Sequence, residues 1–354
     1  MDNRQSEYCR SMDALRFTEE QKAQLARQVA AGAETSPRPR RRYPLRRTVV
    51  LAAALVLILA MGAGATGILK TAAESFSGIF GGDVAQTEIM DKIGRPIGAS
   101  DTDNGVTITA DAIIGDQYNA AIVFTISRDD GTPFDFAANE YGWLPLLFED
   151  GGLDMRGNGG CHGTSGFLDQ TPGDNTIQFV RQISSDQPLN HGTATATFKN
   201  LCVWDEAAEN YVPLIQGSWK FRFNVDYEDS AATLGDGETF AQDGITFTID
   251  EIQISPVAIR VAYTTNSEVR WSDAPSGRIS DEDRLQQQRY FENVEILLTK
   301  TDGTVVDLSN SGGQISPKSG KTVCVKGQIF DQILPMEELS SISVGGVVYD
   351  IPAA

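Results

Sequence analysis

His162, in "GNGGCHGTSG", and His191 are the only two histidines in the chain. A Ser-His-Asp hydrolase would have to use one of them as general base, and neither sits beside a recognisable nucleophile motif. The same count excludes a histidine-rich metal site. Four cysteines offer the next chemistry. Cys9 has no histidine or second cysteine near it, which rules out the common Cys/His zinc arrangement in the N-terminal segment. Cys161, Cys202 and Cys324 form an odd set that permits one bridge at most. Cys161 with Cys202 is the candidate disulfide because both fall in the same predicted β domain, and free buried thiols are the alternative. "DTDNG", from Asp101, opens like a calcium loop, but Ala112 stands where the twelfth-position glutamate belongs, so a surface turn is expected. No catalytic, cofactor-binding or metal-binding set emerges, and an enzyme is not expected.

The elements that position these residues divide sharply by charge. Residues 1–47 hold 11 Lys/Arg against 6 Asp/Glu, a net of +5, which leaves −24 for the remainder of a chain whose total is −19. An acidic region of that strength repels nucleic acid and anionic headgroups, so a nucleic-acid partner is not expected. Between the two parts, Thr48 to Leu69 is a run of 22 residues without Asp, Glu, Lys, Arg or His. As a helix it reaches roughly 33 Å, enough for a hydrocarbon core of about 30 Å. Six arginines (Arg38, Arg40, Arg41, Arg42, Arg46, Arg47) precede it and only Lys70 follows at once. That bias predicts a transmembrane helix over 48–69, an N-terminus in the cytoplasm and the C-terminal part outside the cell membrane. A cleaved signal peptide is the rival reading, supported by "AGA" at Ala63 to Ala65, but its n-region would be far longer than such signals carry.

The tail, 1–47, is patterned. "RFTEEQKAQLARQVAAG" offers Thr18 as N-cap with Gln21 at capping-box spacing, Glu19 and Glu20 in the first turn, and Gly32 as a stop. Leu25 and Val29 share one face at i, i+4 and are the candidate partner-binding residues. So short a helix is marginal alone in water and gains stability only if a partner covers that face. Pro37, Pro39 and Pro44 among the arginines make an extended basic linker suited to anionic lipid.

Beyond the span, 70–83 reads as a stalk, with "FSGIFGG" breaking any helix. Strands follow: "GVTITADAIIG", "AAIVFTIS", "TIQFVRQIS", "TATATFKNLCVW" and "SWKFRFNVDY", then "GITFTIDEIQI", "AIRVAYTT", "NVEILLTKTDGTVVDL", "KTVCVKGQI" and "ISVGGVVYDI". Period-two alternation, β-branched enrichment and Gly/Asp/Asn/Pro turns predict two antiparallel β-sandwich domains, 84–227 and 235–354, joined through "DSAATLGDG". The two sets resemble each other. "NGVTITADAI" aligns without a gap to "DGITFTIDEI", matching Thr107 with Thr246, Thr109 with Thr248, Asp111 with Asp250 and Ile113 with Ile252. "AAIVFTIS" then parallels "AIRVAYTT". Ser280 and Asp283 stand at cap spacing for one inserted helix.

The order of basic tail, span, "FSGIFGG" and "NGVTITADAIIGDQYNAAIVFTIS" resembles the domain of unknown function 4179 family over roughly Leu45 to Arg128. "FAQDGITFTIDEIQISPVAIRVAYTT" and "LSSISVGGVVYDIP" are similar to the immunoglobulin-like companion domain often found C-terminal to it. The resemblance implies a mainly β protein with two immunoglobulin-like sandwiches after one span. It also implies an anti-sigma factor or envelope-stress sensor, with no catalytic residues. The expected function is therefore signalling: an extracytoplasmic module meets an unidentified ligand, and the tail controls a cytoplasmic sigma factor. The alternative is an anchored envelope protein that binds a wall polymer or another protein and does not signal.

Overall fold

Period-two alternation and tight turns become antiparallel strands in the computed structural model, which describes residues 69–155, 161–273 and 279–352. The tail helix, the basic linker and all of the predicted span except Leu69 lie outside the described residues. Among the described residues, no helix is long and apolar enough to cross a membrane.

The chain is mainly β, built from several antiparallel sheets. In the first region, β1 (Arg95–Asp103), β2 (Val106–Gly115), β3 (Asn119–Arg128), β7 (Thr176–Ser185) and β5 (Cys161–His162) lie side by side in that order, with β6 (Ser165–Leu168) also on β7. Facing them are β4 (Leu146–Met155), β8 (Gly192–Asp205) and β9 (Asn210–Val225). Phe124 and Phe179 from one sheet meet Phe198, Phe221 and Trp219 from the other. The buried Trp219 indole donates to the Val106 carbonyl at 2.9 Å, so its one polar atom is satisfied inside the core.

The second region repeats the plan. Its first sheet runs β10 (Ala232–Leu234), β12 (Ile245–Ile254), β13 (Ala258–Thr265), β17 (Lys321–Ile329), β16 (Gly312–Lys318), with β11 (Thr239–Gln242) on β12. Its second sheet runs β15 (Val305–Asp307), β14 (Ile296–Lys300), β18 (Leu339–Val344), β19 (Val347–Asp350). Phe247, Tyr263, Leu298 and Ile342 lie in the core. The inserted helix, α3 (Asp281–Gln287), begins where its cap spacing predicts, with the Ser280 hydroxyl accepting from the Asp283 amide at 3.0 Å.

Backbone detail carries the internal match further than composition does. Asn104-Gly105 (φ 48° and 74°) and Asp243-Gly244 (φ 51° and 75°) close equivalent two-residue hairpins. Register slips at Asp111 against β3 and at Asp250 against β13, a bulge at the same place in each region. Thr125 donates to Asp111, and Thr264 donates to Asp250 at 3.1 Å. Gly115 pairs with Ala120, and Ile254 with Ile259. The match therefore continues ungapped, and Ala120 corresponds to Ile259 rather than to Ala258 as first aligned.

Two expectations are corrected. The predicted stalk contains a helix, α1 (Ala72–Phe80), and a second, α2 (Val84–Ile93), begins the predicted first β domain; each is opened by a capping box, Thr71 with Glu74 and Asp83 with Gln86. The caps and the burial of Phe76 and Phe80 outweigh the glycines that suggested a break. "DSAATLGDG" is also more than a connector, because β10 within it pairs with β12. Gly67–Ala354 form one compact unit.

Candidate functional site

Three apolar surfaces meet beside the start of the described chain. β2 and β3 are buried on both faces: one lines the first core, while Ala112, Ile114, Ala121 and Val123 point the other way. Against that outer face α1 and α2 lay Phe76, Phe80, Met90 and Ile93, and the second region contributes Val257, Ala258 and Ile333. Polar links fix the packing. The Ala73 amide donates to Asp91 at 2.8 Å, joining the two helices. The Ile333 amide donates to the Phe80 carbonyl at 2.9 Å, and the Gln86 side chain donates to the Ile333 carbonyl at 3.3 Å.

Beneath the helices the β2–β3 and β12–β13 turns touch through matching positions. Asp116 accepts from the amides of Tyr118 (2.9 Å) and Asn119 (2.8 Å), and Ser255 accepts from those of Val257 (3.2 Å) and Ala258 (3.0 Å). These are side-chain turns of the same geometry. The Ser255 hydroxyl donates to Asp116 at 2.6 Å, so the contact pairs each turn with its own counterpart, as a two-fold interface does. Burial pushes the Asp116 carboxyl up, and the bonds from Ser255, Tyr118 and Asn119 oppose that shift. The Tyr227 hydroxyl donates to the Asp116 carbonyl at 2.9 Å, closing the turn from below. At the rim the Arg260 guanidinium lies 4.1 Å from the Tyr118 ring centre and pairs with Glu251 at 2.9 Å. Gln314 donates to Asp186 at 2.9 Å.

The bulge residue Asp111 ties this joint to the chain entering it. Lys70 stands 3.7 Å from Asp111 and donates to Thr125 at 3.2 Å. Burial raises the Asp111 carboxyl, and Lys70 and Thr125 pull it back down. Asp250, its counterpart, has Thr264 but no Lys70 equivalent within ion-pair distance among the described residues. The second region is thus bonded through Ile333 to Phe80 and Gln86, and α1 follows directly on Lys70.

Of the residues singled out from sequence, Leu25 and Val29 lie outside the described residues. The candidate disulfide is corrected, since Cys161 and Cys202 both carry free thiols. Cys161 shares a cleft with Leu153 and Met155 near one end of β4, whereas Cys202 pairs with Leu147 near the other end. At about 3.4 Å per residue that separates them by roughly 20 Å, far beyond the 7 Å limit for a bridge. Asp116, Ser255 and Arg260 were missed. The signal was the internal match itself, which had only to be carried on into the turn, where Asp116 falls opposite Ser255.

Residues 40–128 match the family model described as Domain of unknown function (DUF4179), and the segment ends with β3. The family resemblance therefore holds for the part of the chain that carries α1, α2 and the first three strands. No curated protein matches the chain. Among solved structures, the crystal structure of a conserved domain protein from Bacillus anthracis aligns at 16% identity over 70% of this chain and 75% of that one, with a TM-score of 0.46.

Proposed function

We propose that the chain is a single-pass membrane signalling protein with its N-terminus in the cytoplasm and two immunoglobulin-like β-sandwiches outside. On this reading it is an anti-sigma factor or envelope sensor, its extracytoplasmic module meets a ligand, and its tail holds a cytoplasmic sigma factor. The observation that carries the proposal is the joint described above. The helices that follow the predicted span in sequence are buried between the two β regions instead of hanging free as a stalk. A passive anchor needs only a tether at that point. The signalling reading is supported by an element packed against both regions, with Lys70 paired to Asp111 at its entry.

The test addresses the tail. Changing Leu25 and Val29 to Asp removes an apolar face whose burial is worth about 1.5–3 kcal/mol per side chain, or roughly two to four orders of magnitude in affinity for the pair. Arg38 to Arg47 and the charge-free run stay intact, so insertion is undisturbed. A cytoplasmic partner that co-purifies with the wild-type protein and is lost from the double variant supports signalling. A wild-type tail that retains no partner favours the anchored envelope protein.

A further inference from the structure

In "TIQFVRQIS", Ile177, Phe179, Arg181 and Ile183 alternate onto one face of β7, and three of the four are buried in the first core. Arg181 thus points between the two sheets, where an apolar residue is expected. It opens onto two adjoining clefts of about 130 Å³ each, one between β4 and β5 and the other between β4 and β6. Leu153, Met155 and Ile183 line one cleft; Phe148, Phe167 and Phe179 line the other. Gly151 also lines the second cleft, where a Cβ would lie 3.3 Å from the Phe148 Cβ.

The second region shows what the same position looks like when it is closed. Arg181 pairs with Ile122 and Lys326 pairs with Val261, and Ile122 and Val261 are equivalent in the internal match. Lys326 spends its three donors on the carbonyls of Phe291 (2.9 Å), Val294 (3.0 Å) and Ser309 (2.6 Å), and lies 4.8 Å from the Phe291 ring centre. Arg181 does none of this. Its buried Nε has no hydrogen-bond partner. Among the described residues no ion pair includes it, although Asp154 lines the same cleft.

We propose that the Arg181 cleft binds a small carboxylate carried on an apolar stem. The Arg181 guanidinium is half-buried, its Nε has no partner inside the protein, and its planar fork matches a carboxylate bidentately. The lining selects among anions. Asp154 lines the same cleft as Arg181 and His162 and adds a negative charge, which disfavours phosphate dianions, whereas the apolar walls favour a hydrocarbon stem. The site does not depend on the signalling proposal, since an anchored envelope protein could carry it equally well.

The test is calorimetric titration of the full-length protein in lipid nanodiscs with hexanoate, with empty nanodiscs subtracted and hexanamide as the uncharged isostere. Saturable hexanoate binding is expected, with no comparable hexanamide binding and with affinity weakened roughly ten- to a hundred-fold by Arg181→Met. Absence of saturable hexanoate binding overturns the proposal, as does equal affinity for hexanamide or equal affinity in the variant. Should Arg181→Met fail to fold, the hexanoate and hexanamide titrations of the wild type decide alone.

Discussion

The two β regions share strand order, hairpin turns and a bulge, and they part company over one inward-facing base. In the second region, Lys326 is fully buried and saturated by three carbonyls, which knits the turn after α3 to the strands above it. In the first region, Arg181 at the matching position has no such cage and faces open clefts. The turns differ in a complementary way: Asp116 of the first region accepts, and Ser255 of the second donates. A duplicated scaffold has become one closed region and one open region, joined through corresponding turns. The closed region acts as the buttress, and the open one carries both the cleft and the helix pair.

That contrast predicts unequal outcomes for one substitution. Lys326→Met orphans three buried carbonyls and should cost on the order of 3 kcal/mol in denaturant unfolding. Arg181→Met removes a half-buried, unpaired charge and should change stability by less than about 1 kcal/mol. Equal losses at both sites would erase the distinction between the regions. Next in size is the contact between the turns. A double-mutant cycle with Asp116→Ala and Ser255→Ala should give a coupling of about 1–3 kcal/mol, since a hydrogen bond to a buried carboxylate links the two. Additive losses would mean that the turns merely lie side by side.

The smallest effect is a divergence in pH dependence. Burial holds the Lys326 ammonium down at about 8 against an ordinary 10.5. Between those values the unfolded chain binds the extra proton, so wild type should gain stability over Lys326→Met as pH rises from about 8 toward 10.5. Asp116 is shifted upward, so the folded chain binds the extra proton. Wild type should gain over Asp116→Asn as pH falls through the raised carboxyl range. Unfolding midpoints across pH check both signs, and parallel curves for wild type and variant would contradict either one.

Much of the fold was legible because strands and type I′ turns are written locally: alternation sets the faces, and Asn104-Gly105 and Asp243-Gly244 set the hairpins. The helix pair was not. Gly78, Gly81 and Gly82 read as breakers, and only the tertiary burial of Phe76 and Phe80 on a second sheet face reverses that reading. The consecutive apolar residues Ala112, Ile113 and Ile114 in β2 were the sequence clue, and the structure shows continuous burial there from Ala110 to Gly115. The Cys161–Cys202 pairing failed because membership of one half says nothing about position along β4. Arg181 was visible in principle as the lone charge on an otherwise apolar period-two face. Its lack of a partner, however, is a property of three-dimensional packing alone.

The central claim is that the helix pair mechanically joins the second region to the entry of the chain at Lys70. Phe76→Ala opens a cavity at the centre of the joint, and amide hydrogen exchange of the full-length protein reports where the loosening travels. The account predicts faster exchange in α1 and α2 and also at Val257, Ala258 and Ile333, with β14 and β18 unchanged. Acceleration confined to α1 and α2 would contradict it, because the helices would then be loosened without the second region registering the change.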